Sequence, residues 1–241
     1  MKYNILTVLN ESYVPFGKLF VNSLFDNIDL RKINKIFVYN TGISEKNIAY
    51  LTDFPKVEVV DAGVVANSNA LHDEGWQTNV YSKTSFLLQQ LTDKYPTIMI
   101  DSDCVFKSDF FKLLDDEADV IVCRRHREGF SKYLGSFFVA NTTAKAVHFV
   151  KEWIKQIKEY DNNDFHGGKH KESPSLSLVV EKNKEKMNIQ EVKESTISAL
   201  MDSPEAYIFH LKSDAGLETI EKRITQPHLL NYVGRYFRDL Q

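Results

Sequence analysis

Two aspartates one residue apart, Asp101 and Asp103, stand at the end of the run TIMI (97–100) in the stretch YPTIMIDSDCVFKSDFFKLLD, residues 95–115. Alternate residues of an extended chain point to the same side, so both carboxylates aim at one point and Ser102 faces away. Two like charges this close repel unless a cation or a proton sits between them. Oxygen ligands of this kind suit a hard divalent ion, Mn²⁺ or Mg²⁺. The same pair also serves as a cap, in which Asp101 ends a strand and Asp103 or Ser102 starts a turn. The position in the chain favours the metal. In open α/β sheets the ligand crevice lies beyond the carboxyl ends of the strands.

The elements that must position this pair read from the hydrophobic pattern. YNILTVL (3–9), INKIFVYN (33–40), KVEVVDA (56–62) and TIMI (97–100) predict strands. Between them, Val21, Leu24, Phe25 and Ile28 fall at helical spacing, SEKNIAYL (44–51) opens on the N-cap Ser44, and YSKTSFLLQQL (81–91) predicts a helix. Nearly continuous apolar strands alternating with helices predict an α/β fold: a mostly parallel, doubly wound, Rossmann-like sheet covered on both faces. Beyond residue 115 the pattern becomes mixed. ADVIVC (118–123) and GSFFVAN (135–141) predict strands, and TAKAVHFVKEWIKQIKEY (143–160) a helix with an apolar stripe of Val147, Val150, Ile154 and Ile157. A long polar stretch (161–174), a helix (175–183), a strand near AYIFH (206–210) and helical C-terminal segments follow. No repeat or low-complexity linker divides the chain, which predicts a single domain over 1–241.

Composition excludes several classes. The chain has 241 residues, 43% hydrophobic and 26% charged, which is ordinary globular usage. A net charge of −3 argues against a nucleic-acid partner. CRRHRE (123–128) and HGGKHKE (166–172) concentrate basic residues locally, as solvated loops do. Two cysteines, Cys104 and Cys123, are too few for a disulfide framework and predict a reducing, cytoplasmic setting. The start MKYNILTVLNESYVP does not read as a signal peptide, because Asn10, Glu11 and Ser12 break its apolar run. No stretch reaches the roughly 18 apolar residues of a spanning helix, which leaves only peripheral membrane contact in play.

The segment YSKTSFLLQQLTDKYPTIMIDSDCVFKSDFFKLL resembles the centre of the GT-A family of nucleotide-sugar glycosyltransferases. In that family a helix with a basic residue precedes a buried strand ending in D-x-D, and a short helix with an aspartate at its start, here Asp109, follows. The resemblance continues more weakly along the whole chain. ILTVLNESYVPFGKLFVNSL is similar to the opening strand, nucleotide-base loop and first helix. SFFVANTTAKAVHFVKEW is similar to a later strand and capped helix. YIFHLKSDAG is similar to a late strand ending in a histidine that is the third metal ligand in several of these families.

The resemblance implies a GT-A fold, with residues 1–115 as nucleotide-binding half and 116–241 as acceptor-binding half. It implies transfer of a sugar from a nucleotide diphosphate, with UDP the expected nucleotide, to a hydroxyl of a glycan or other acceptor. It implies Asp101, Asp103 and His210 as ligands of Mn²⁺ or Mg²⁺. Asp101 would coordinate directly, act through water or bind ribose, and an imidazole ligand favours Mn²⁺. Thr7, Asn10 and Tyr13, at the end of the first strand, fall where the base would bind, and Asp61 could reach base or ribose. Lys83 and Lys212 would pair with diphosphate or sugar, and Ser102 belongs to the same donor site. Trp76 is either a sugar platform or packing. Glu172 and Asp164, in the polar stretch, could deprotonate an acceptor hydroxyl. Cys104 reads as a small buried filler. The chain departs from the family where KESPSLS stands in place of an acidic residue plus glutamine, and where only Lys212 and Gly216 match the pattern after the late histidine.

Two rival functions share parts of this pattern. Phosphatases of the haloacid dehalogenase type also end an apolar strand in D-x-D, but they follow it with small residues where this chain has CVFK. They also need a later strand with an acidic pair, which this sequence lacks. A non-catalytic sugar-nucleotide or glycan binder of the same fold is the second rival. A calcium loop fails at its sixth and twelfth positions, occupied here by Phe106 and Lys112.

Overall fold

A computed structural model describes residues 1–66, 73–91, 94–126, 128–160, 171–198 and 205–211. The strands are β1 (Tyr3–Leu9), β2 (Ile33–Asn40), β3 (Val57–Asp61), β4 (Thr97–Ile100), β5 (Cys104–Phe106), β6 (Val120–Arg124), β7 (Tyr133–Ala140), β8 (Ile189–Lys193) and β9 (Ile208–His210). The helices are α1 (Val14–Asn27), α2 (Glu45–Thr52), α3 (Glu74–Gln90), α4 (Ala144–Glu159), α5 (Glu172–Asn183) and the single turn α6 (Glu194–Ile197). Among the described residues the main sheet has the order β3-β2-β1-β4-β7-β6-β8, and β5 and β9 form a separate pair.

The front half is parallel: β1 pairs with β2 and β4, and β2 with β3. β7 then runs antiparallel between β4 and β6, while β6 pairs in parallel with β8. Strand alternation divides the core into two layers. Ile5, Ile98, Ile100, Phe137 and Val139 join α1 on one face, and Leu6, Met99, Phe138 and Ala140 join α3, α4 and α5 on the other. Burying one large side chain such as Trp153 or Phe149 contributes about 1.5–3 kcal/mol. These two lie on the buried face of α4 with Ala146, Val150 and Ile157, while Val147 and Ile154 of the expected stripe are only partly buried; the Thr143 hydroxyl caps the helix by accepting from the Ala146 amide.

The strand β5 leaves the sheet right after Asp103. Ser23 accepts from the Phe106 amide at 3.1 Å, Asn27 donates to the Phe106 carbonyl at 3.1 Å, and Phe20 meets the Phe106 ring edge-on at 5.0 Å. Helix α1 therefore fixes β5, and β5 in turn provides the edge on which β9 pairs.

The fold class and the first four strands match expectation. Three corrections matter for the site. Helix α3 begins at Glu74, capped by the Asp73 carboxylate, rather than at the expected residue 81, so Trp76 lies in its first turn. Helix α5 begins at Glu172, which moves Glu172 out of the expected polar loop. The strands β5 and β8 were not anticipated. The expected C-terminal helical segments, Lys212, Gly216 and Asp164 lie outside the described residues.

Candidate active site

The carboxyl ends of β1 and β4 lie side by side, since Leu6 is opposite Met99. After Ile100 the chain turns. The Asp101 amide donates to the Ser136 carbonyl at 3.0 Å, and the Cys104 amide returns to the Asp101 carbonyl at 3.2 Å. The two aspartates thus sit in a tight turn rather than on an extended strand, with Ser102 buried between them.

The other end of the chain arrives through β9. In its antiparallel register His210 is opposite Cys104, and the Leu211 amide donates to the Asp103 carbonyl at 2.9 Å. This pairing puts Nε2 of His210 3.3 Å from Oδ1 of Asp103 and 3.8 Å from Oδ2 of Asp101. The other ring nitrogen, Nδ1, shares a hydrogen bond of 2.9 Å with the Ser198 hydroxyl, which lies 3.0 Å from the Ser136 hydroxyl. The serine pair fixes the ring orientation and leaves Nε2 facing the carboxylates. Asp103, Cys104 and His210 are all buried, and one ligand atom from each lies within 4.8 Å of the other two.

Behind Asp101 stands a buried cation. Lys83 on α3 is only 6% exposed and is ion-paired with Asp101 Oδ1. Its ammonium also lies 2.9 Å from Glu172 Oε1 and donates to the Gly135 carbonyl at 3.3 Å. Burial alone would pull the Lys83 ammonium down, but the Asp101 and Glu172 carboxylates outweigh it and hold the group above the ordinary lysine range. Glu172 sits over a strand glycine: a β-carbon on Gly135 would overlap its carboxylate. Glu172, Lys83 and Asp101 therefore form one chain of alternating charge leading to the aspartate turn.

The nucleotide-side candidates are less uniform. The buried Thr7 hydroxyl has no hydrogen-bond partner among the described residues. Asn10 is committed to the backbone: its amide donates to the Ala66 carbonyl at 2.8 Å, and its Oδ1 accepts from Ser12 and from the Tyr13 amide. The Tyr13 ring packs on Phe16 at 5.4 Å. Asp61, at the end of β3, accepts from the Gly63 amide at 2.9 Å in a local turn.

The family profile of nucleotide-diphospho-sugar transferases matches residues 43–222, about three quarters of the sequence. The chain belongs to the nucleotide-diphospho-sugar transferase family. No curated protein sequence matches the chain. Solved structures do. The bifunctional glycosyltransferase WbbM matches at a TM-score of 0.55 and 14% identity, over 97% of this chain and 51% of WbbM, so the chain spans about half the length of that protein. The galactosyltransferase LgtC, bound to donor and acceptor sugar analogues, matches at 0.55 and 12% identity, over 95% of this chain and 99% of LgtC. An active-site mutant of LgtC matches at 0.60 with the same identity and coverage. At these identities the likeness establishes the fold, which is that of the GT-A glycosyltransferases.

Sequence reasoning anticipated Asp101, Asp103, His210 and Lys83, which the transferase fold brings together. It did not anticipate Ser136, Ser198 and Gly135, nor the pairing of Glu172 with Lys83. Two signals were available: the glycine that opens the strand GSFFVAN, and a proline two residues after Glu172, as in a first helical turn.

Proposed function

We propose that this family member is an active, divalent-metal-dependent glycosyltransferase, moving a sugar from a UDP-type donor to a hydroxyl acceptor. One observation carries the reading: two carboxylates from the β4 turn and an imidazole from β9 converge at the carboxyl end of the sheet. This donor set, two hard oxygens and one nitrogen, fits Mn²⁺ and is compatible with Mg²⁺. Asp103 and His210 would hold the ion, with Asp101 binding directly or through water. When bound, the ion would offset the negative charge that develops on the leaving diphosphate.

The chain's own residues have separate tasks in this scheme. Lys83 orients Asp101 through their ion pair and would present positive charge toward the donor. Glu172 holds Lys83 from behind. Its engaged, buried carboxylate supports a positioning role rather than that of the base that deprotonates the acceptor. Ser198 orients His210. Thr7, Asn10, Tyr13, Asp61 and Lys212 would make up the donor side. Residues 1–115 would bind nucleotide and 116–241 the acceptor, within one domain. No helix among the described residues is long and apolar enough to cross a membrane, and two buried thiols suit a cytoplasmic setting.

The test is release of free nucleotide diphosphate from a panel of nucleotide sugars, with Mn²⁺ and with excess EDTA. Mn²⁺-dependent release from one donor is expected. Full activity in EDTA would overturn the metal, and faster hydrolysis of phosphate monoesters would restore the phosphatase reading. A donor that raises the melting midpoint without turnover would identify a binding protein of the same fold.

A further inference from the structure

We propose that the Cys104 thiolate joins Asp103 and His210 in a soft-cation site, suited to Zn²⁺, that excludes the hard ion from the same centre. The inference rests on the reading of Asp103 and His210 as metal ligands and adds a ligand to it. The three donor atoms already lie within 4.8 Å of one another, and all three residues are buried. The register of β5 with β9 makes Cys104 and His210 directly opposed, so their side chains share one face of the pair. The 3.3 Å between Asp103 Oδ1 and His210 Nε2 equals the edge, about 3.3 Å, of a tetrahedron with metal bonds of roughly 2.0–2.1 Å. An edge to sulfur is about 3.6 Å long, given a Zn–S bond of roughly 2.3 Å. From the 4.8 Å bound, the sulfur has at most about 1.2 Å to close, less than it travels between two χ1 rotamers.

The chemistry of the set then separates cations. Carboxylates suit Mn²⁺ and Mg²⁺, whereas a thiolate beside an imidazole suits Zn²⁺. Three protein ligands leave the fourth tetrahedral position to water or to Asp101, whose Oδ2 is 3.8 Å from Nε2. Binding forms a metal–sulfur bond and breaks the S–H bond, and the thiol proton goes to buffer. No electron transfer is involved. Because Asp103 and His210 serve both arrangements, one cation displaces the other.

X-ray absorption of the full chain loaded with one equivalent of Zn²⁺ tests this directly. A single sulfur at about 2.3 Å is expected, and a shell of oxygen and nitrogen alone would overturn the thiolate. Co²⁺ provides the assignment: a near-ultraviolet sulfur-to-cobalt charge-transfer band should appear, vanish in Cys104→Ala and persist in Cys123→Ala. Cys104→Ala should lose at least about 10-fold in Zn²⁺ affinity. A visible Co²⁺ ligand-field spectrum without the charge-transfer band sinks Cys104 and leaves the Asp103–His210 centre standing. No Co²⁺ spectrum at all sinks that centre as well. A band lost in Cys123→Ala instead would assign the sulfur elsewhere and overturn the proposal. The absorption measurement on the unaltered chain decides the matter even if Cys104→Ala does not fold.

Discussion

Replacing Lys83 by Met removes the cation that two carboxylates share, and the consequences can be worked through. The Glu172 side chain is 6% exposed and that of Asp101 is 26% exposed, so water can compensate Asp101 but not Glu172. Breaking a buried ion pair on one side costs about 3–5 kcal/mol. For a chain of this size each kcal/mol moves the midpoint by about 2–4 °C, so the variant should melt roughly 10 °C below wild type at pH 8. The pH dependence has a definite sign. Without the ammonium, burial raises the proton affinity of Glu172 in the folded state above its unfolded reference of about 4.3. The native variant then binds more protons than the unfolded chain, so its stability falls as pH rises, by up to ~1.4 kcal/mol per unit. Its deficit should therefore shrink between pH 8 and pH 5. In wild type the Lys83 ammonium is held above its ordinary range, so its contribution persists through neutral pH and is lost only in strong alkali. The double variant Lys83→Met with Glu172→Gln should recover about 2 kcal/mol or more relative to the sum of the single changes. Urea unfolding followed by circular dichroism, at several pH values, measures all of this. A Lys83→Met variant within about 1 kcal/mol of wild type at pH 8, or strictly additive single changes, would refute the buried charge chain.

Further outcomes follow from the same geometry. Ser198→Ala should keep the fold but weaken Mn²⁺ binding about 10–100-fold by calorimetry, because His210 Nδ1 loses its hydrogen bond. Gly135→Ala should destabilise by about 1–3 kcal/mol in urea titration and lower donor binding, since the added carbon displaces the Glu172 carboxylate that holds Lys83. Thr143→Ala removes the α4 cap and its hydrogen bond to Asp119 at 2.7 Å, costing about 1–2 kcal/mol, yet should leave Mn²⁺ affinity unchanged because Thr143 follows Ala140, which pairs with Thr97 at the end of β4 opposite the aspartate turn.

What the sequence revealed and what it concealed have physical reasons. The strands β1, β2 and β4 are buried on both faces, so their apolar runs stand out, and the polar residues closing β4 stand out by contrast. The strand β8, IQEVK, is an edge strand with only Val192 fully buried, and its pattern resembles a loop. The strand β5 has three residues, too few for any period, and exists because α1 and β9 hold it. His210 was legible as a residue type at a strand end. Its meeting with Asp103 was expected only through the family resemblance, because pairing between segments so far apart in sequence is decided by tertiary packing. Glu172 looked like a loop charge because its neighbours 161–171 are polar, and nothing local announces that Lys83 lies opposite. The expected convergence of Asp101 and Asp103 is retained, though by a turn rather than by strand alternation.

The central claim is that Asp103 and His210, far apart in the sequence, bind one divalent cation. Anomalous diffraction at the manganese edge, from a crystal of the full chain grown with Mn²⁺ and UDP, tests it most directly. The account predicts a single strong peak about 2.1 Å from both a carboxylate oxygen of Asp103 and Nε2 of His210. No peak in the crevice beyond β4, or one more than about 5 Å from the imidazole, would contradict it.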